Sequence, residues 1–423
     1  MPGWRDSITS RDSNLVAAVD VGASKAACLI ARIALTEEGA RSVEIVGAGL
    51  HGASGADRAS PAAGENALRA AVDAAERMAG GRVNSVYSAV NGRHLLCRRI
   101  GAAVDLVDGR VSQEDIEECL KSGLEAAAAE GSAALHASPI RFLIDGEETG
   151  FSPVGLAGAV LTAEILGVGA REAQLLNADA LIERCGLKVE RRFPAPAAAA
   201  EAVLIDDEKE LGCILIDIGA ASTGFAVYER GALIDCGGAR LGGDHITRDL
   251  AQIFGAELAH AERVKTLYGS ALAGIGDEHK LVDFPQLGDV EDIHRVSRAE
   301  VSSVITPRLE EMFEKASERL SKEARFIGVR RAVLTGGGSL LIGARETAER
   351  MLGVKARLGR PSPLAGSPDA ATAPQFSVCV GLIELAAAAR ADRTRQRSSN
   401  ARPARRTPGG LAASVGGWLK DNF

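Results

Sequence analysis

The sequence predicts an α/β protein of two related lobes that enclose a phosphate-binding cleft, and three observations carry that prediction. The chain opens with an apolar strand, a D-x-G turn and a second apolar strand, VAAVDVGASKAACLIARI. The pattern restarts as LGCILIDIGAASTGFAVYERGALIDCG. A third turn, Leu334-Thr335-Gly336-Gly337-Gly338-Ser339, follows a buried strand and reads as opening a helix. A hairpin repeated at so long a period points to one copy per lobe, not to a solenoid.

Taken in order, residues 1–13 read as a disordered tail. Residues 15–35 read as strand, turn and strand, and 43–48 as a third strand. A polar, Gly- and Ala-rich loop is expected over 50–63, a helix over 65–78 and a strand over 83–90. From 91 to 172 the pattern changes to an inserted α+β unit, in which HLLCRRI and PIRFLID flank a helix with Ser112 as N-cap and Asp115 three residues on. The helix REAQLLNADALIERCG should end at Gly186. A strand over 187–192 and the helix AAAAEAVL precede the second hairpin. Beyond it, 245–270 reads as helical, 277–298 as acidic loop, and 299–323 as a long helix. GARETAERML is a helix, 359–374 is rich in Pro and Gly, and FSVCVGLIELAAAA is a core helix. Residues 389–408 have linker composition.

At 423 residues the chain should hold about three domains or subdomains. Aromatics are only 4% of a composition that is 46% hydrophobic, so the core must be aliphatic. A net charge of −7 argues against a whole-protein nucleic-acid binder. The seven cysteines form no Cys-x-x-Cys pair and several lie in apolar runs, so they read as buried, reduced thiols. The histidines show no metal spacing. The N-terminus lacks an apolar signal segment, and no apolar run reaches the ~18 residues needed to span a bilayer.

The hairpins specify the chemistry. Gly22, Ala23 and Ser24 make a turn tight enough to bring backbone N–H groups to an anion. Ser24 adds a hydroxyl, and Lys25 a point charge for a β- or γ-phosphate. Asp20 ends the buried strand, where it could hold hydrated Mg2+. Asp217 and Gly219 repeat the arrangement, with Ser222 and Thr223 as donors. Neither a Walker loop nor a Rossmann fingerprint is present.

Together these motifs resemble the actin, sugar-kinase and heat-shock-chaperone superfamily, in the order hairpin (15–30), connecting helix (193–204), hairpin (211–228) and adenosine motif (332–345). That resemblance implies a two-lobed, actin-like (ribonuclease-H-like) ATPase fold with ATP and Mg2+ as ligands. Within it, GGARLGGDHITRDLAQIFGAELAHAERVKTLYGSA is similar to the FtsA family of bacterial cell-division proteins, as are 299–345 and the short closing helix. The resemblance covers about 14–388 and the last dozen residues. It implies subdomain 1A over 14–90, 173–206 and 375–388, and 1C over 91–172. It also implies 2A over 207–255 and 327–374, and 2B over 256–326. Carried over, Gly242, Gly243, Glu262, Lys265, Gly336, Gly337 and Gly338 would face the adenosine, with Thr247 at the helix start; read without the family, Glu262 and Lys265 are a surface ion pair. Implied partners are FtsZ, met within 256–326, a second copy of the chain, anionic membrane lipid and later divisome proteins. The implied location is the cytoplasmic face of the inner membrane at the septum.

Two departures bear on turnover. The connecting helix begins Phe193-Pro194-Ala195-Pro196-Ala197, with no carboxylate or amide to orient a nucleophile. Ala220 and Ala221 stand where the superfamily has glycines. Phosphoryl transfer depends on positioning and charge, so weak or absent ATPase activity is expected and no catalytic residue is assigned. A pilus-assembly adaptor resembling PilM and a small-molecule kinase of the same superfamily are the alternatives.

The end of the chain carries a second signal. Leu411, Val415, Trp418, Leu419 and Phe423 share one face of a helix over 409–423. It is too short to span a membrane and reads as an in-plane amphipathic anchor. Arg390, Arg393, Arg395, Arg397, Arg402, Arg405 and Arg406 precede it and suit anionic lipid. The flexible linker argues against the other reading, a helix docked on the protein's own core.

Overall fold

The computed structural model describes residues 14–35, 41–53, 60–128, 131–150, 152–272, 274–320 and 329–400. The first lobe begins with an antiparallel meander of β1 (Leu15–Val21), β2 (Lys25–Leu35) and β3 (Arg41–Gly52). In β1 four successive residues, Val16 to Val19, are buried, because helices cover the sheet on both faces. Helix α1 (Pro61–Ala79) returns the chain to β4 (Ser85–Val90), parallel to β1. The helix starts earlier than expected, and the loop before it is shorter. Ser60 caps it by accepting from Ala63 N–H at 3.2 Å, and Pro61 occupies the first turn, where its missing N–H costs nothing.

The inserted unit contains β5 (Leu95–Asp105), α2 (Gln113–Ala127), β6 (Ser132–Ile144), β7 (Glu147–Thr149) and β8 (Val160–Arg171), with strand order β5-β8-β6-β7. The expected cap is present as a closed box: Asp115 N–H donates to Ser112 Oγ at 3.2 Å, and Ser112 N–H donates to the Asp115 carboxylate at 2.8 Å. Ile116, Cys119 and Leu120 of α2 then pack on Phe142, Leu161 and Ile165 of the sheet.

The chain re-enters the first lobe through α3 (Glu172–Arg184), which ends before Gly186 at φ 81°, and β9 (Lys188–Pro194). Strand order there is β3-β2-β1-β4-β9. Helix α4 (Ala195–Val203) crosses to the second lobe, followed by the short α5 (Asp206–Leu211).

The second lobe repeats the plan. It comprises β10 (Cys213–Ile218), β11 (Thr223–Glu229), β12 (Ala232–Ala239), α6 (Gly243–Phe254) and α7 (Leu258–Tyr268). There follow β13 (Leu281–Gln286), β14 (Asp289–Ser297), α8 (Arg298–Glu318), β15 (Arg331–Thr335), helix Ala344–Leu352 and β16 (Lys355–Leu358). Its sheet order, β12-β11-β10-β15-β16, matches the first lobe strand for strand, antiparallel and parallel pairs included. This is the duplicated, two-lobed plan that the repeated hairpin predicts, arranged as the actin-like resemblance implies.

Four local expectations need correction. The 245–270 helix is two helices, divided at Gly255 (φ 68°), which caps α6 in the left-handed region. The acidic stretch 277–298 is largely a β-hairpin: Val282 and Phe284 are buried while Leu281 and Asp283 are exposed, an alternation masked by the acidic residues. Gly337 and Gly338 open a 3₁₀ turn (Gly337–Leu340) that Gly336 caps, and the α-helix starts only after Gly343. Helix Ser377–Asn400 runs past residue 388, into the predicted linker, because ADRTRQRSSN holds no Gly or Pro to stop it. The tail 1–13, linker residues 401–408 and anchor positions Leu411, Val415, Trp418, Leu419 and Phe423 lie outside the described residues.

Two helices join the lobes. Helix α4 is buried along nearly its whole length and crosses helix Ser377–Asn400 at backbone contact. A Cβ built on Gly381 would lie 1.6 Å from the Ala198 carbonyl oxygen, so only glycine fits. Around this crossing Val16 and Leu29 of one lobe and Leu215 and Tyr228 of the other share one apolar core. All seven cysteines are free thiols, five of them buried.

Candidate functional site

The two hairpins close in the same way. Gly22 N–H donates to Lys25 O at 2.9 Å, and Gly219 N–H donates to Ser222 O at 2.9 Å. Ala23 and Ser24 occupy the first turn, as Ala220 and Ala221 do the second. Asp20 pairs with Ala27 and Asp217 with Gly224, so each aspartate stands one residue before the end of its strand. Thr223 opens β11 and donates to Leu241 O at 2.8 Å.

The fold brings the third motif to the second hairpin. Because β15 runs parallel to β10, Thr335 lies beside Asp217 and the glycines follow at the sheet edge. Gly336 has φ 79°, and a Cβ there would lie 2.2 Å from Asp217 Oδ1. A Cβ on Gly337 would be 3.7 Å from the Lys25 ammonium, so the first lobe's lysine reaches the second lobe's glycine turn. Gly338 lies against Ile218.

Helix α6 starts on the same hairpin. Gly243 N–H donates to Gly219 O at 3.0 Å, and Asp244 N–H to Ala220 O at 2.8 Å. Gly242 is packed against the carbonyls of Gly219 and Ala220. Glu262 and Lys265, a turn apart on α7, form an ion pair at 2.6 Å. The pair turns inward: Lys265 Nζ also donates to Gly243 O at 3.0 Å and to Thr247 Oγ1 at 2.9 Å, while Thr247 Oγ1 donates to Glu262. Hairpin, helix start and ion pair thus form one hydrogen-bonded wall.

Charge concentrates where the hairpins meet. Asp20, Lys25 and Asp217 sit among many protein atoms yet stay partly open to solvent from the cleft. Burial raises the Asp20 carboxyl above its ordinary value, against the pull of Lys25. Burial and then the Asp20 charge push Asp217 up to about 7. Burial lowers the Lys25 ammonium, opposed by both aspartates. Two desolvated carboxylates that repel each other, with one lysine between them, are a setting in which a further cation is favourable.

Among the described residues no group of three or more His, Cys, Asp or Glu could hold a metal directly. Two carboxylates such as Asp20 and Asp217 suit Mg2+, an ion that usually takes one or two carboxylates and keeps several waters.

Three residues join the site without a motif to announce them. Asn91 Oδ1 accepts from Ser222 Oγ at 3.0 Å and from Arg93 N–H at 3.1 Å, tying the second hairpin to the first lobe. Ser377 Oγ lies 2.6 Å from Thr335 Oγ1. Cys379 lies behind Asp20, with its thiol 3.6 Å from Ala27 O. The Asn91-Gly92 pair reads from sequence only as a turn, and Ser377 and Cys379 only as core-helix positions.

The family model "Cell division protein FtsA" matches residues 214–381, and "SHS2 domain inserted in FTSA" matches 92–168, within the inserted α+β unit. The chain is 34% identical to the cell division protein FtsA of Agrobacterium fabrum, over 98% of this chain and 96% of that one. It is 30% identical to the Escherichia coli K12 protein of the same name, over 98% and 97%. Among solved structures, a PilM–PilN type IV pilus biogenesis complex superposes with a TM-score of 0.61 at 17% identity, covering 88% of this chain and 98% of that one, which shows the shared fold. With two independently matching models in chain order and full-length relatives at this identity, the chain belongs to the FtsA family of cell division proteins.

Proposed function

We propose that this protein binds ATP with Mg2+ between its lobes and tethers FtsZ filaments to the cytoplasmic face of the inner membrane at the division septum. The observation that carries the nucleotide reading is the convergence of Asp20, Lys25 and Asp217 with Gly336 and Gly337. Gly22, Ala23, Ser24, Gly219, Ser222 and Thr223 would cradle the phosphates, and Asp20 and Asp217 would hold the ion through water. Gly242, Gly243, Glu262, Lys265 and Gly336 to Gly338 would take the adenosine side.

In this reading ATP acts as a ligand that holds the lobes together more than as a fuel. Residues 193–197 supply no side chain to orient water, and Ala220 and Ala221 crowd the γ-phosphate position. The basic run from Arg390 and the apolar face of Leu411, Val415, Trp418, Leu419 and Phe423 supply the membrane contact. One such helix binds reversibly, so self-association through the folded lobes would provide lasting attachment by avidity. FtsZ would meet residues within 256–326, and later divisome proteins would follow.

Two measurements test the two halves. Full-length protein should co-sediment with anionic liposomes and Trp418→Glu should not; equal sedimentation of both removes the anchor. Lys25→Ala should weaken ATP binding by about tenfold or more, since it removes a charge-assisted contact. Unchanged affinity removes the two-hairpin site.

A further inference from the structure

A second cleft, of about 510 Å³, is lined by His94 and Leu95 on one side and by residues 238–241 of the second lobe on the other. The first lobe, at the two ends of its inserted unit, contributes Arg93 and Arg171, and the second lobe contributes Arg240 and Arg319. Among the described residues none of these four has a carboxylate partner. Lys315 and Glu318 also line it, bound to each other at 2.8 Å. Among the described residues, five cations and a single acid therefore line one cavity of a chain that carries 56 acidic and 49 basic residues. Such a concentration runs against the overall charge and gives this cavity a positive potential that favours an anionic occupant.

A second feature points the same way. Arg171 is the N-cap of α3 and makes no side-chain capping bond, and Gln174 of the first turn also lines the cleft. The positive end of a thirteen-residue helix is thus presented to the arginines. At the half-buried base, Arg93 Nε donates to His94 Nε2 at 3.0 Å. Burial, Arg93 and Arg240 together hold the His94 imidazole below its ordinary value. An imidazole kept neutral among guanidinium groups would regain a proton if an anion settled beside it.

We propose that this cleft binds a soluble, phosphorylated small molecule, held by Arg93, Arg171, Arg240 and Arg319. Guanidinium forks match phosphate oxygens in pairs, and the volume admits a ligand of nucleotide size. Both lobes supply the arginines, so an occupant would favour the lobe orientation that brings them together. Leu241 connects Arg240 to Gly242 at the other cleft, and Asn91 precedes Arg93 by two residues, so the sites share two short segments.

Calorimetric titration of the full-length protein with pyrophosphate, after saturation with a non-hydrolysable ATP analogue, tests this. Binding is expected in the wild type and should weaken by about tenfold or more in Arg240→Ser/Arg319→Ser, whose two residues are exposed. No binding in the wild type, or equal binding in the double variant, overturns the proposal. NMR titration of His94 in the wild type is a second measurement that needs no variant: pyrophosphate should raise its pKa, and an unchanged value overturns the assignment. Dioctanoyl phosphatidate provides the last arm. If it binds and pyrophosphate does not, the phosphate is that of a lipid headgroup and the soluble ligand is wrong.

Discussion

Ser222 Oγ donates to Asn91 Oδ1 at 3.0 Å, and that bond fastens the second phosphate hairpin to the first lobe. Asn91 also accepts from the N–H of Arg93, which lines the second cleft. Asn91→Ala should cost about 1 kcal/mol of lobe-to-lobe stabilisation, the net value of such a bond. ATP-analogue affinity is expected to fall several-fold, with the thermal midpoint of the unliganded protein shifted by only a few degrees. Unaltered affinity would show that this bond does not shape the nucleotide cleft.

The crossing of α4 and helix Ser377–Asn400 leaves no room for a side chain at Gly381. Gly381→Ala should therefore destabilise the protein by about 3 kcal/mol or more, although the same change usually favours an isolated helix. A urea melt checks the sign. If stability stays the same or rises, the helices can separate without loss and the shared core is looser than described.

Asp217 gives the unliganded protein a definite pH dependence. Its folded pKa, about 7, lies above the ordinary value of 3.8, so the folded state binds more protons between these values. Stability must then fall as pH rises from about 4 through about 7. Asp217→Asn should flatten that slope, as measured by denaturation at several pH values. Mg2+–ATP favours the ionised carboxylate, so its affinity should rise over the same interval, and a wild-type affinity independent of pH would contradict the assignment.

Ala220→Gly/Ala221→Gly tests what limits turnover. Removing the two methyl groups should tighten binding of a γ-phosphate analogue a few-fold. Phosphate release should remain slow, because 193–197 still offers no group to orient water. A turnover rate raised a hundredfold would assign the block to the methyl groups instead.

The hairpins could be read from sequence because a D-x-G turn between apolar strands is a local pattern. Asp20, Gly22 and Lys25, and Asp217 and Gly219, stand where that pattern puts them. The cap at Ser112 and the stop before Gly186 were equally local. The hairpin Leu281–Gln286 with Asp289–Ser297 was hidden by its acidic residues, because only packing reveals that Val282 and Phe284 share a buried face. The continuation of the last helix to Asn400 is not legible locally, because residues 389–400 share the polar composition of a linker.

The sequence by itself determined that two copies of one strand-turn-strand unit exist and that each offers a carboxylate and backbone donors. It also determined, from residues beyond those described, the amphipathic pattern of 409–423. Only the tertiary structure decided that the copies face each other, with Lys25 reaching Gly337, Asn91 bonded to Ser222, and four arginines from both lobes gathered around a second cleft. The physical reason is one of range. Turn and cap chemistry acts over a few residues, so it is written in neighbouring letters. Interlobe contacts depend on how α4 and the last helix cross at Ala198 and Gly381, residues far apart in the chain that no local pattern connects.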